Sequence, residues 1–255
     1  MNVKTRRPKI GAGKPAAETA SRVLCEQDGH VTTITLNRPE VGNRLTNEMA
    51  ATVRQMIDAA QGRVIVLRGA GENFCLGREL PAKAHETLSA LEARDIHTEP
   101  ILSLCAAFER SPLPIVGVVQ GKAMGGACAL AAMCDVTIAA DNAVFQLPEL
   151  NHGIPPCLAM TALARRVPRK AVVHLVYSTD PIDAATALSI GLISRVVPRV
   201  DLNPAARALV DKLVQFSPPA VQAVKQFMRS APDLDSQAAA DLAANLLANV
   251  VSSKH

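Results

Sequence analysis

Two glycine-bearing turns carry the residues best suited to chemistry. The first, Phe74-Cys75-Leu76-Gly77-Arg78-Glu79-Leu80, follows a short apolar run and a glycine loop. The second, Gln120-Gly121-Lys122-Ala123-Met124-Gly125-Gly126-Ala127, opens an apolar helix. Glycines where a helix begins leave main-chain N–H groups unpaired and let a foreign carbonyl come close. The helix dipole favours negative charge at the same point. Two such turns converging would aim two donors at one oxygen, which is an oxyanion hole. Taken singly, each turn fits equally a tight strand-to-helix connection packed on a sheet. Neither is a phosphate loop, because no GxxxxGK followed by Ser or Thr is present. A lone carboxylate, Glu149 in Leu147-Pro148-Glu149-Leu150, reads by itself as a helix-start or surface acid.

The elements that must position these turns alternate along the first two-thirds of the chain. Val31–Asn37 alternates and is rich in β-branched residues, which predicts a strand. Thr46 can cap a helix from Asn47 to Ala60. Val64–Arg68 and Ile115–Val119 are continuous apolar runs, as expected of buried strands, and Pro100–Arg110 patterns as a helix. Residues 81–99 are polar and ambiguous. The glycine turn 121–126 leads into a helix over Ala127–Met133, then short strands at Val136–Ala140 and Val144–Leu147. From Pro156 the pattern is helical: 157–165, 169–177, 183–190 (stopped by Gly191), 204–215, 219–229 and 235–250. This layout predicts an α/β core over 23–195 and a helical region over 196–255 in which subunits meet or the core is capped.

Composition narrows the function classes. The chain of 255 residues has five Phe, one Tyr and no Trp, so its core must be packed by Ala, Val, Leu and Ile. Apolar runs such as Pro114–Gln120 and Ala127–Cys134 are too short to cross a bilayer, and no membrane partner is expected. The net charge of +4 sits in residues 1–22, where Lys4, Arg6, Arg7, Lys9, Lys14 and Arg22 face one acid, Glu18. The remainder carries 21 basic and 22 acidic residues, which argues against nucleic acid as a partner. The basic segment reads as a solvated disordered tail, with a transit peptide as the alternative. Cys25, Cys75, Cys105, Cys128, Cys134 and Cys157 show no CxxC pairing and no zinc-ligand spacing with His. They read as reduced thiols of a cytoplasmic protein, none placed as a nucleophile and no metal implied.

In order, the segments Asn37-Arg38-Pro39-Glu40, Phe74–Leu80, Gly121–Asp135, Ala140-Asp141-Asn142-Ala143-Val144-Phe145, Pro148-Glu149-Leu150, Asp183-Ala184-Ala185 and Gly191-Leu192-Ile193 resemble the successive signatures of the enoyl-CoA hydratase/isomerase, or crotonase, family. The likeness covers about residues 23–230. It implies a crotonase-like spiral of ββα units with a C-terminal helical region, assembled as homotrimers or hexamers. It implies acyl-CoA substrates, with coenzyme A carried as part of the substrate and no other cofactor. By the family pattern the oxyanion donors are the main-chain N–H groups of Arg78 and Gly126, and Leu76, Gly77, Gly125 and Arg44 border the substrate. A side chain as large as Arg78 is unusual where the family often has a small residue. Its guanidinium would contact the CoA or close the pocket mouth, or else be an exposed structural group.

The resemblance also sorts the carboxylates. The family's hydratases use two glutamates on one water; the first falls here on Ala129, which can neither hold water nor move a proton. The second falls on Glu149. One carboxylate and an oxyanion hole suffice to take a proton α to a thioester and return it further along the chain, which is double-bond isomerisation. A hydratase with substitute acid/base groups and a non-catalytic CoA-binding subunit are the alternatives. Substitutes could come from His152 or from His85, Glu86, His97 and Glu99. His30 and His174 read as ordinary surface or core residues. Relatives usually end in an aromatic, basic helix that helps cover the CoA adenine. Leu246–His255 has no such character, so an acyl group on a carrier is an alternative to CoA.

Overall fold

The computed structural model describes residues 21–79 and 88–252. Among these residues nine strands make two sheets. The strands are β1 Val23–Asp28, β2 Val31–Leu36, β3 Val64–Gly69, β4 Ile115–Val119, β5 Lys122–Met124, β6 Val136–Ala140, β7 Val144–Gln146, β8 Ile182–Asp183 and β9 Arg195–Val197. The larger sheet runs β1-β2-β3-β4-β6-β9, antiparallel only at the β1–β2 hairpin. The smaller runs β5-β7-β8, with β5 and β7 parallel.

The helices are α1 Asn47–Ala59, α2 Ala90–Ala93, α3 Glu99–Arg110, α4 Gly126–Met133, α5 Cys157–Leu163, α6 Arg169–Ser178, α7 Ala184–Ser189, α8 Leu202–Gln215, α9 Pro218–Ser230 and α10 Ser236–Ser252. A π-turn, Arg94–Thr98, joins α2 to α3. Thr46 caps α1 by accepting from the Met49 N–H, as its sequence position predicts.

Burial explains why the central strands read as unbroken apolar runs. All of β4 is buried. Ile115 and Val119 join the main core with α1, α3 and α4, while Val116 and Val118 face the other way, toward Leu202, Ala206 and Val210 of α8. A strand covered on both faces has no polar side to show. By contrast, β1 is an edge strand with only Val23 buried, so no alternation marks it. The segment expected as a simple turn at 121–126 contains β5, whose three residues are long enough to found the second sheet.

The last two helices are attached differently. Lys225 of α9 donates to Leu113 O (2.8 Å) and to Asp135 Oδ2 (2.7 Å), and that carboxylate also accepts the Ile115 N–H at the head of β4. Neither α9 nor α10 has a buried residue, and α10 packs chiefly on α9. Among the described residues no helix is long and apolar enough to cross a membrane.

Candidate active site

Three buried or half-buried side-chain amides seat the first glycine turn. Asn43 is fully buried in a left-handed conformation (φ 57°), which an Asn tolerates better than most residues. Its Nδ2 donates to the carbonyls of Ala70 (2.8 Å), Asn73 (2.9 Å) and Phe74 (3.2 Å), and its Oδ1 accepts from the Arg38 N–H. Gln120 Nε2 donates to the Gly69 and Gly71 carbonyls, and Asn73 Oδ1 accepts the Lys122 N–H at 3.0 Å. The turn is thereby stitched to the second one. Cys75 N–H donates to Lys122 O and Met124 N–H donates to Cys75 O. A Cβ on Gly77 would stand 3.0 Å from Met124 O, so glycine is what allows this approach.

The main-chain accounting then singles out a few donors. The N–H groups of Phe74, Cys75, Leu76 and Glu79 all have carbonyl acceptors. Those of Gly77 and Arg78 have none among the described residues. The Gly77 carbonyl accepts from the Leu45 N–H at 2.9 Å, and a trans peptide is planar, so the Arg78 N–H points the opposite way, off the Leu45 strand. In the second turn Gly125 N–H is held by Gln146 O, whereas the N–H of Gly126, the first residue of α4, has no acceptor among the described residues and open space where a side chain would be. Every residue of α4 after Gly126 is buried, so its dipole acts in a poorly screened setting.

Glu149 lies beside the second of these turns. It opens the 3₁₀ turn Glu149–His152, closed by Gly153 in a left-handed conformation. A Cβ on Gly125 would meet Glu149 Oε1 at 2.7 Å, and Gly125 itself has φ 54° and ψ −125°, a conformation glycine alone adopts freely. Glu149 Oε2 is buried without a hydrogen-bond partner. Desolvation holds its pKa above the ordinary carboxylate value, opposed by its own main-chain hydrogen bond and the nearby charge of His152.

Other expected groups fall elsewhere. Ala129 is buried in α4 with no polar group of its own. His152 is exposed and makes no hydrogen bond to Glu149. Glu99 Oε1 accepts from Ser103 at the surface. His97 lies in the π-turn with its Nδ1 buried and unpartnered. Leu76 packs its side chain where a Cβ on Gly42 would be. Arg44 is exposed on the loop that bridges to Arg78. Leu80, His85, Glu86 and residues 1–20 lie outside the described residues. The Arg78 guanidinium corrects an expectation. It is neither exposed nor free at a pocket mouth, because it donates to the His97 carbonyl, to Asn47 Oδ1 (2.8 Å) and weakly to Ile96 O (3.4 Å).

Four of the six thiols are held in the protonated form by burial. Burial pushes Cys75 and Cys105 up to about 11, and Cys128 and Cys134 up to about 12. The Glu149 charge raises Cys128 further. No two of the six cysteines are joined.

Comparison with known proteins decides the family. The model of the enoyl-CoA hydratase/isomerase family matches residues 26–255. The chain belongs to this family. It is 33% identical to the 2,3-dehydroadipyl-CoA hydratase of Escherichia coli over 223 residues, 86% of each chain. It is 30% identical over 223 residues to the human mitochondrial enoyl-CoA hydratase domain-containing protein 3, covering 84% of this chain and 71% of that one. Its fold matches the enoyl-CoA hydratase of Mycobacterium smegmatis with a TM-score of 0.84 at 28% identity, covering 89% of this chain and 90% of the other. The two sheets and the C-terminal helices are therefore a crotonase fold, as the ordered motifs imply.

Within the crotonase fold, sequence reasoning reached the turns and Glu149 but passed over Asn43, Gln120 and Asn73. Their signal was present as amides beside glycines, yet their partners lie about 30 to 50 residues away. Two outcomes follow from the geometry. Gly125→Ala should displace Glu149, lower turnover by about 10²-fold and cost about 1–3 kcal/mol of backbone strain, read by steady-state kinetics and urea unfolding. The second concerns pH. A carboxylate whose pKa is raised by folding makes the native state less stable as pH climbs from the ordinary value through the raised one. Glu149→Gln should therefore stabilise the protein near neutrality, and that gain should shrink as the pH falls below the raised pKa.

Proposed function

We propose that this chain is an acyl-CoA isomerase that moves a double bond through a thioester enolate. One observation carries the reading: a half-buried Glu149, its Oε2 without a hydrogen-bond partner, lies against Gly125 at the turn that presents the unpaired Gly126 N–H, with Ala129 in place of a second acid. The family and the E. coli relative's name support a CoA thioester as substrate. The thioester oxygen sits between the Arg78 and Gly126 N–H groups, and Leu76, Gly77, Gly125 and exposed Arg44 border the acyl and CoA portions. Glu149, as carboxylate, takes a proton from carbon 2 of a 3-enoyl thioester. Negative charge moves onto the thioester oxygen, where the two donors and the α4 dipole stabilise it. The protonated Glu149 then returns the proton to carbon 4, leaving a 2-enoyl thioester and a carboxylate ready for the next cycle. A raised pKa serves both steps, since the acid that forms must also give its proton back.

The names of the relatives favour a second reading, hydration of a 2-enoyl thioester. There Glu149 alone would have to orient water and handle both protons, which Ala129 does nothing to assist. We also propose that the protein acts as a homotrimer, or a hexamer of two trimers. The exposed apolar residues of α9 and α10 support this: they border a groove of about 380 Å³ lined by Val224, Phe227, Met228, Leu246, Leu247 and Val250.

Incubating the protein with 3-enoyl-CoA and with 2-enoyl-CoA separates the two reactions. Isomerisation is expected to dominate, to fall about 10²–10⁴-fold in Glu149→Gln, and to decline on acidification as Glu149 protonates. Hydration that survives in the variant would overturn the role of Glu149. In sedimentation equilibrium the wild type should exceed its 26.9 kDa chain mass at least threefold. Met228→Glu combined with Leu247→Glu should shift it toward the monomer.

A further inference from the structure

The side chain of Arg78 has a task of its own, separate from its main-chain N–H. Its guanidinium reaches the π-turn Arg94–Thr98, where Nη1 donates to the His97 carbonyl and Nη2 to that of Ile96. The same Nη2 donates at 2.8 Å to Asn47 Oδ1, and Asn47 Nδ2 donates at 2.9 Å to the same Ile96 carbonyl. Asn47 is the first residue of α1, fixed by the Thr46 cap. Three segments thus meet at one guanidinium: the first glycine turn, the start of α1 and the π-turn that leads into α3.

The chemistry of the contact is informative. Arg78 has no carboxylate partner among the described residues. It is a half-buried cation whose Nη donors are directed to main-chain carbonyls and one amide, while its buried Nε has no partner among the described residues. A planar fork holds two successive carbonyls and a side-chain oxygen in one fixed geometry, which the three rotating donors of an ammonium group do not impose. A π-turn widens the helix and disturbs its internal ladder, leaving carbonyls open to outside donors; such turns often stand at functional sites. The π-turn also carries His97 with its buried, unpartnered Nδ1.

We propose that Arg78 is a positioning residue: with Asn47 it clamps the first glycine turn to the π-turn and the start of α1, so that the donor N–H is held in one fixed direction. The catalytic part of the claim rests on the enolate reading above; the mechanical part does not. Because one residue supplies both the donor and the clamp, loosening the clamp also loosens the aim of the N–H.

The test uses full-length Arg78→Ala, Arg78→Lys, Asn47→Ala and the Arg78→Ala/Asn47→Ala double variant. Hydrogen exchange of amides 94–98 is followed beside those of β4 as an internal control, and turnover of 3-enoyl-CoA is measured in parallel. Exchange at 94–98 is expected to rise about tenfold in each alanine variant with β4 unchanged. The kcat should fall about 10–100-fold with KM within about threefold of wild type. The double variant should be no worse than the poorer single, since both remove one clamp. Arg78→Lys keeps the stem and charge without the fork, and should fall between wild type and Arg78→Ala even if alanine impairs folding. Unchanged exchange at 94–98 overturns the clamp. Raised exchange with an unaltered kcat reduces Arg78 to a tether and overturns the positioning role. If the wild type turns over neither enoyl-CoA, the isomerase reading fails by itself. The positioning role then falls with it, and exchange at 94–98 decides the mechanical clamp.

Discussion

A main-chain N–H can be aimed only by fixing the peptide that carries it, and that constraint organises the centre of this molecule. The Gly77–Arg78 peptide is held through the Gly77 carbonyl by Leu45, which leaves the Arg78 N–H directed away from Leu45. The neighbouring carbonyls that would compete for polar partners are claimed by Asn43 and Gln120. A buried amide that lost three carbonyls would leave each of them to face desolvation alone, at about 1–3 kcal/mol apiece. The polar seating of the turn is thus a structural necessity as well as a functional one.

The second donor depends on packing more than on hydrogen bonds. The helix α4 is apolar and buried from Ala127 to Met133, so it cannot rotate or slide without opening the core. Its first N–H therefore emerges at one place, next to Gly125 and the Glu149 carboxylate. The same burial that fixes α4 raises the Glu149 pKa and keeps the adjacent Cys128 thiol protonated. Low polarity around the site strengthens each electrostatic contact made there.

Two further polar contacts lie at greater distance from Glu149. Arg78 and Asn47 connect the oxyanion turn to the segment before α3, and Lys225 ties α9 to the head of β4 through Asp135. In both cases a long cationic side chain satisfies main-chain carbonyls that strands or helices cannot reach. The apolar surfaces of α9 and α10 are left outside the fold of one chain.

What the sequence by itself determined is local and compositional. Period and apolar runs mark β2, β3, β4 and nearly all the long helices to within a residue or two, because those elements bury a regular face. The inventory of acids is equally legible: Glu149 is present, and alanine stands at 129. The ordered glycine motifs identify the family. Edge strands β1 and β9 escaped, since a strand with little buried surface carries no hydrophobic signature. Only tertiary structure decided which N–H groups stay unpaired, how deeply Glu149 is desolvated and where Arg78 sends its guanidinium. The reason is physical. Hydrogen-bond satisfaction and desolvation depend on atoms many residues away, as when Asn43 meets Phe74 or Arg78 meets Asn47. Spacing along the chain encodes which groups exist; packing alone settles which of them remain free to act.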